Sequence, residues 1–119
     1  MSKLLVLTKN KEFNRVYSKG KFSASKNLVV YTLPNHLNTV RFGITTSKKI
    51  GNAVIRNRMR RLIRENLRII DVQIKDGMDI VIVARKAEAS ASFDTVGKEL
   101  RYLFNKLNLF QGITNGKNT

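Results

Sequence analysis

The sequence predicts an α+β fold, a single-domain α/β sandwich in which a small mixed sheet packs against helices. Segments rich in β-branched and aromatic residues alternate along the chain with segments whose apolar residues recur every three or four positions. The 119 residues contain no repeat or linker-like tract, and 42% hydrophobic content is enough for one core. We therefore predict one domain over residues 1–119, with elements in the order αβββαβα and a disordered tail over about residues 110–119.

The first predicted helix runs from Asn10 to Lys19 and ends at Gly20. Phe13 and Tyr17 lie four positions apart in it, so they share one face. The chain before this helix is predicted to be an extended lead-in.

Two strand-like segments follow the first helix. Residues 21–33 include the run LVVYTL, whose β-branched and aromatic residues favour a strand. The turn-like segment PNHLN separates this run from a second strand over residues 39–46. This arrangement predicts that the two strands form an antiparallel pair.

A long helix is predicted from the N-cap Asn52 to about Ile70. After a turn at residues 75–77, the run MDIVIVA from Met78 to Ala84 is typical of a buried central strand. An amphipathic C-terminal helix follows, and we interpret it as a cover for the core. Its apolar positions are Phe93, Val96, Leu100, Leu103, Phe104 and Leu107.

Positive charge is concentrated between Arg41 and Arg68. This segment has nine lysine and arginine residues and one acid, Glu65, so it contributes +8 of the chain's +15. A dense positive field on ordered elements indicates a polyanion-binding face, and nucleic acid is the leading partner.

The long helix divides into two faces when residues are placed about 100° apart. One face is basic and comprises Arg56, Asn57, Arg60, Arg61, Arg64 and Arg68. The other is apolar and comprises Ile55, Met59, Leu62, Ile63, Ile69 and Ile70. Arg58 lies near the border. The basic face has like charges four positions apart, which cost a few tenths of a kcal/mol per pair. That cost favours a bound anion over simple solvation.

The approach to this helix predicts a second anion site. Lys48 and Lys49 come shortly before Asn52, where free backbone amides and the positive end of the helix dipole favour phosphate.

Several other classes are disfavoured by the sequence. The chain has no cysteine, and no apolar run approaches the roughly 18–20 residues of a membrane span. Its single histidine, His36, is interpreted as an exposed turn residue. Asp76 and Asp79 could flank a site, but a solvated turn around Gly77 explains them as well. These patterns predict no catalytic residue, no metal ligand, no membrane partner and a cytoplasmic location.

An ordered set of motifs resembles the signature of the bacterial ribonuclease P protein family. The resemblance covers about residues 9–107 and also includes FNRVYSKGKF, LVVYTL and IVIVARKA. Its central residues are Phe42-Gly43, Ser47-Lys48-Lys49, Gly51-Asn52-Ala53-Val54, Arg56-Asn57-Arg58, Arg60-Arg61 and Arg64.

The resemblance implies a small α/β sandwich with a left-handed βαβ crossover around the basic helix, where general rules predict a right-handed one. It implies a subunit that binds a catalytic RNA and the 5′ leader of precursor tRNA. Magnesium ions used by the holoenzyme would be bound mainly by RNA, and none tightly by the protein.

The implied sites map onto two groups of residues. The RNA-facing group is Lys48, Lys49, Arg56, Asn57, Arg58, Arg60, Arg61 and Arg64, and helical periodicity adds Arg68. The leader-binding group is Phe13, Tyr17, Phe22 and Tyr31. Strand register decides which face Phe22 and Tyr31 occupy, so their placement stays open at this point.

Three alternatives remain. Another basic RNA-binding protein, such as a ribosomal protein, would share the charge but has no reason to share the motif order. A major-groove DNA reader needs a partner helix where strand-like residues stand. A self-sufficient nuclease is disfavoured because the acids are dispersed.

Overall fold

The computed structural model describes residues 4–87 and 90–111 of the chain, which form a five-stranded sheet with three α-helices. The helices are α1 (Asn10–Lys19), α2 (Ala53–Ile70) and α3 (Phe93–Lys106). The strands are β1 (Leu5–Val6), β2 (Lys21–Ala24), β3 (Leu28–Pro34), β4 (Val40–Thr46) and β5 (Met78–Ala84). The predicted element order is confirmed, with one additional short strand, β1, in the segment predicted to be an extended lead-in.

The sheet is mixed, as predicted, and its strand order is β1-β4-β5-β3-β2. β3 is antiparallel to both β2 and β5, whereas β4 is parallel to both β1 and β5. The parallel neighbours β4 and β5 are joined through α2, so these three elements form a βαβ unit. The left-handed sense of this crossover stays a prediction.

The predicted antiparallel pairing between the two early strands is wrong, because β5 lies between β3 and β4. The three central residues of β5, Ile80, Val81 and Ile82, are all fully buried, so both faces of this strand are covered. A strand that is apolar on both faces gains most from a central position. The turn PNHLN therefore connects two strands that are not neighbours.

The main core lies between one face of the sheet and the helices α2 and α3. Sheet residues such as Leu28, Phe42 and Ile82 pack there against Ile63 of α2 and Phe104 of α3. The opposite sheet face carries α1 alone, and Val16 is the only buried residue of that helix. The α1 face therefore leaves part of the sheet uncovered.

The apolar stripe of α2 differs in part from the helical-wheel prediction. Ile55 and Ile69 were assigned to the core side, but they are 40% and 52% exposed, while Asn66 and Leu67 are buried. The side-chain amide of Asn66 donates to the carbonyl of Phe93, the first residue of α3. A Cβ at Gly97 would lie 2.4 Å from Asn66 Oδ1, so α3 approaches closely at this point and shifts the buried stripe.

The predicted tail begins with two residues that are held by the fold. Phe110 forms a β-bridge with Ile74, and the side chain of Gln111 donates to the carbonyl of Val72. Both residues are therefore placed by the fold, and residues 112–119 of the predicted tail lie outside the described part of the chain, so its disorder stays a prediction. None of the described helices combines the length and apolar character needed to cross a membrane.

Candidate nucleic-acid interface

The segment that leads into α2 is a tight basic turn. Residues Lys48–Ile50 form one 3₁₀ turn, capped by Ser47 Oγ, which accepts from the Lys49 amide at 3.2 Å. Gly51 has a φ of 142°, a conformation that favours glycine. Asn52 then caps α2, as predicted, since its Oδ1 accepts from the Ile55 amide at 3.1 Å. Lys48 and Lys49 are both exposed beside this helix N-terminus.

Arg56 and Arg60 lie where the basic face of α2 meets the body of the protein. Arg56 Nη1 donates to the carbonyl of Gly51 at 2.6 Å. Arg60 donates through Nη1 to Asn57 Oδ1 at 3.1 Å and through Nη2 to Thr46 Oγ1 at 3.2 Å. These two arginines therefore tie the helix to its entry turn and to the end of β4, while both side chains remain partly accessible.

The outer part of the basic face is free of acidic partners. Arg61, Arg64 and Arg68 are exposed, and none forms a hydrogen bond or ion pair within the described residues. Glu65 lies among them without pairing to any described cation. Arg58 is also exposed and donates to the carbonyl of Ala91, so its charge is not neutralised. We call the set Arg56, Asn57, Arg58, Arg60, Arg61, Arg64 and Arg68 the arginine face.

The four predicted leader-binding aromatics form one continuous row. Ring centroids are 6.4 Å apart for Phe13 and Tyr17, 4.9 Å for Tyr17 and Tyr31, and 5.6 Å for Tyr31 and Phe22. The Tyr17–Tyr31 pair is edge-to-face, a favourable arrangement for aromatic rings. Phe22 is 63% exposed and Tyr17 37%, so the row presents ring surface to solvent. We call these four residues the aromatic row.

Strand register places Phe22 and Tyr31 on the α1 face of the sheet. Phe22 lies opposite Tyr31, and Tyr31 lies opposite Val81 of β5. Val81 in turn lies opposite Gly43 of β4, and the Phe13 ring covers that glycine. A Cβ at position 43 would lie 2.5 Å from the Phe13 ring, so glycine is required for this contact. The sheet therefore aligns both strand aromatics with the two from α1.

The next positions along the strands form an open floor beside the aromatic row. Val29, Val83 and Thr45 are adjacent across β3, β5 and β4 and are only partly buried. Burial raises the pKa of the Tyr17 phenol, and a hydrogen bond with Thr45 opposes this rise without cancelling it. Together with the aromatic row, these residues form the surface that we call the cleft, with aromatic rings along one side and small β-branched side chains on its floor.

The arginine face and the aromatic row meet at the end of β4. Side chains alternate along a strand, so the consecutive residues Thr45 and Thr46 point to opposite faces. Thr45 interacts with Tyr17 on the α1 face, whereas Thr46 accepts from Arg60 on the α2 face. The basic turn at Lys48–Ile50 follows directly, so it lies between the two surfaces.

Arg41 belongs to the same basic segment but has a different environment. Its Nε and Nη2 donate to the two carboxylate oxygens of the fully buried Asp79, both at 2.8 Å. This hydrogen bonding raises the pKa of Arg41. Burial raises the pKa of Asp79, but hydrogen bonds from Arg41 and Asn35 outweigh it and hold the pKa below its ordinary value of 3.8. The interpretation of Asp79 as a solvated turn residue is therefore wrong.

His36 and the grouping of acidic side chains are the remaining features that the sequence raised. His36 is exposed in the β3–β4 connection with a φ of 61°, which confirms the turn interpretation. Within residues 4–87 and 90–111, no three histidine or acidic side chains come together in a way that could hold a metal ion.

Comparison with protein families agrees with the resemblance that the order of motifs in the sequence indicates. Residues 1–108 match the family model described as Ribonuclease P. The chain belongs to the ribonuclease P family.

Curated members of the ribonuclease P family align with nearly the whole chain. The "Ribonuclease P protein component" of Thermoanaerobacter sp. strain X514 is 43% identical over 110 residues, covering 92% of this chain and 95% of that protein. The protein of the same name from Clostridioides difficile strain 630 is 43% identical over 104 residues, covering 87% and 91%.

Solved structures of the ribonuclease P family share the fold. The RNase P protein of Staphylococcus aureus superposes with a TM-score of 0.81 at 34% identity, covering 92% of this chain and 100% of that chain. The RNase P protein of Thermotoga maritima has a TM-score of 0.72 at 29% identity, covering 92% and 97%. The mixed sheet with three helices is therefore the fold of this family.

Sequence reasoning missed the residues that organise the two surfaces. Thr45 and Thr46 connect them, and Asp79 lies buried beneath α1. Alternation along β4 was a usable signal for the two threonines, because it places neighbours on opposite faces. For Asp79 the signal was a lone acid at the start of an otherwise apolar strand, which indicates a buried partner of opposite charge.

Proposed function

We propose that this chain is the protein subunit of a ribonuclease P holoenzyme, an endoribonuclease that removes the 5′ leader of precursor tRNA. The arginine face binds the catalytic RNA, and the cleft beside the aromatic row binds the leader. One observation carries this proposal: a single small fold presents unpaired arginines on one side of its sheet and four contiguous aromatic rings on the other.

The arginine face suits a folded RNA. A guanidinium group can donate two parallel hydrogen bonds to a phosphate group. Exposed unpaired arginines also displace the counterions of a polyanion when they bind it. Lys48 and Lys49 extend the same field around the N-terminus of α2. Arg56 ties the helix to its entry turn and Arg60 ties it to β4, so these two side chains are held in place before RNA binds.

The aromatic row suits a single strand. Unpaired bases stack on aromatic rings with little sequence demand, whereas bases within a duplex are not available for stacking. The cleft floor of Val29, Val83 and Thr45 offers a shallow apolar surface beside the rings. These features support recognition of the leader by shape and stacking, which would accept leaders of different sequence.

In this proposal the RNA carries the chemistry. The magnesium ions that the reaction needs are bound mainly by RNA, and the protein contributes binding and orientation. Two acids near the cleft, Glu12 and Asp79, are engaged by Arg41 and Arg15, so they are not free to act as ligands or bases. These two acids thus serve as partners of arginine.

Reconstitution tests the central claim. The purified chain, combined with a bacterial ribonuclease P RNA at a magnesium concentration too low for that RNA alone, should restore cleavage of precursor tRNA at the mature 5′ end. Failure to stimulate cleavage would contradict the proposal. Cleavage by the protein without RNA would show instead that the chain is a nuclease itself.

The leader assignment has a separate test in the same assay. Tyr17→Ala should weaken binding of leader-bearing tRNA by about 1–3 kcal/mol, the value of one stacked base, without affecting leaderless tRNA. Tyr102→Ala is the matched control, because Tyr102 is 52% exposed on α3, away from the cleft. Equal losses for both substrates in Tyr17→Ala would refute the cleft assignment.

A further inference from the structure

A buried polar network fastens α1 to the sheet. The carboxylate of Asp79 in β5 is fully buried and accepts hydrogen bonds from three parts of the chain. Arg41 of β4 donates twice at 2.8 Å, Asn35 after β3 donates at 2.8 Å, and Arg15 of α1 donates at 3.4 Å. One carboxylate thus joins two strands, the turn after β3 and the first helix.

Arg41 extends the network to the beginning of α1. Its Nη1 donates to Glu12 Oε2 at 3.2 Å. The other oxygen of Glu12 accepts from the backbone amides of Thr8 at 3.4 Å and Lys9 at 3.3 Å, which lie at the start of the helix. Glu12 therefore caps α1 and binds it to Arg41 at the same time.

These contacts act on the helix that holds half of the aromatic row. Glu12 and Arg15 lie on either side of Phe13 in sequence, and Tyr17 follows one turn later. The apolar attachment of α1 is limited, because Val16 is its only buried residue. The position of the Phe13 and Tyr17 rings over β4 therefore depends on the polar network as well as on packing.

The network also separates Arg41 and Arg15 from the RNA-binding arginines. Both guanidinium groups face carboxylates, so neither presents an unpaired charge to an external phosphate. The fully buried carboxylate of Asp79, paired with the partly buried Arg41, suits a structural role.

We propose that Asp79, Arg41 and Glu12 are positioning residues that set the place of α1 and thereby the geometry of the leader-binding cleft. They act through Phe13 and Tyr17 and do not touch the leader. This inference rests on the proposed function of the cleft. Its consequence is that damage to the network impairs leader recognition selectively and leaves binding of the catalytic RNA intact.

The test uses holoenzyme reconstituted with Arg41→Lys or Glu12→Gln protein. Arg41→Lys keeps the charge but cannot form the two parallel bonds to Asp79 or reach Glu12 together with it. Glu12→Gln leaves the Asp79–Arg41 pair in place and weakens only the link to α1. Circular dichroism and thermal unfolding establish that each variant is folded, and Arg101→Lys on α3 is the matched control.

We expect both variants to weaken binding of leader-bearing tRNA by up to about tenfold, the order of one lost stacking contact. Affinity for leaderless tRNA and for the catalytic RNA should stay within about twofold, as in Arg101→Lys. The leader effect should be smaller when Tyr17→Ala is already present, because residues that act through one another are not additive.

When Tyr17→Ala does reduce leader affinity, three outcomes would overturn the proposal. The first is an unchanged leader affinity in both variants while Tyr17→Ala reduces it, which would refute positioning and leave the cleft assignment standing. The second is an equal loss for leader-bearing and leaderless tRNA. The third is a leader effect that persists undiminished in the Tyr17→Ala background. If Tyr17→Ala itself has no leader effect, the cleft assignment fails and the positioning role fails with it.

Discussion

Two groups of arginines in one chain have opposite environments. On α2, Arg61, Arg64 and Arg68 face solvent without an ion-pair partner among the described residues. Beneath α1, Arg41 is bound by Asp79 at 2.8 Å and by Glu12 at 3.2 Å. The comparison shows that positive residues of one segment can differ in whether their charge is neutralised. Charge without local neutralisation is what a polyanion-binding surface requires, and this is why the proposed surface lies on α2 and does not include Arg41.

The difference follows from what each environment does to the charge. A buried carboxylate such as Asp79 is costly to desolvate, and only close, well-aligned donors offset that cost. The exposed arginines keep their hydration and accept a small repulsion along the helix. The first arrangement stabilises the fold, and the second keeps positive potential available for a polyanion.

The largest effect expected on stability comes from removing the centre of the buried group. Asp79→Ala leaves Arg41 without its main partner and should reduce the free energy of unfolding by about 3 kcal/mol. We take the lower end of the range for such pairs because Arg41 remains 22% exposed. Urea unfolding measures this loss. Asp76→Ala, at an exposed turn residue, is the control and should change stability by less than about 0.5 kcal/mol. A loss of stability below about 1 kcal/mol for Asp79→Ala would contradict the view that the Arg41–Asp79 pair stabilises the fold while the arginines of α2 do not.

The arginines of α2 should contribute little to stability and much to RNA binding, the reverse of what we expect for Asp79. Replacing Arg61, Arg64 and Arg68 together by alanine should change stability by less than about 0.5 kcal/mol per site. The same triple variant should lower the salt dependence of RNA binding, reducing the slope of log K against log salt by about 2 to 3. Filter binding to the catalytic RNA at several salt concentrations measures this slope. An unchanged slope would mean that these side chains do not neutralise phosphates.

Lowering the pH should produce the smallest of the expected effects. It should weaken the buried group around Arg41 and leave the exposed arginines of α2 unaffected. The pKa of Asp79 in the folded protein lies below its ordinary value of 3.8, so its stabilisation is complete above that value and is lost as the pH falls through the folded pKa. The pKa of Glu12 is also lowered, chiefly by a hydrogen bond from the Lys9 backbone, so Glu12 adds to the same loss. The stability difference between the native protein and Asp79→Asn should therefore be constant from about pH 5 to 7 and shrink below about pH 4. A difference that grows on acidification would contradict the assigned direction.

Local signals predicted much of the candidate site. Asn52 caps α2 as expected, because a short polar side chain before an apolar-periodic run satisfies the first amides of a helix. The basic side of α2 was predicted from periodicity, which the helix geometry enforces. Phe13 and Tyr17 share a face for the same reason. The use of these surfaces for RNA and for the leader remains the proposal stated above.

Other features depend on contacts between distant segments. The insertion of β5 between β3 and β4 could not be read from the turn that joins those two strands. Ile69 is exposed although its position on the helical wheel indicated burial, because α3 packs closest at Asn66 and Gly97. Both results depend on which elements meet, and periodicity within one element carries no information about that.

By itself, the sequence determined the helices and strands, the concentration of charge before and along α2, and the family. These properties reside in local spacing and composition, which survive without the rest of the fold. Only the tertiary structure decided that Arg41 is neutralised while Arg64 is not, and that the four aromatic rings form one row. Neutralisation and stacking act over a few ångströms in space, so they depend on strand order and register, which long-range packing selects.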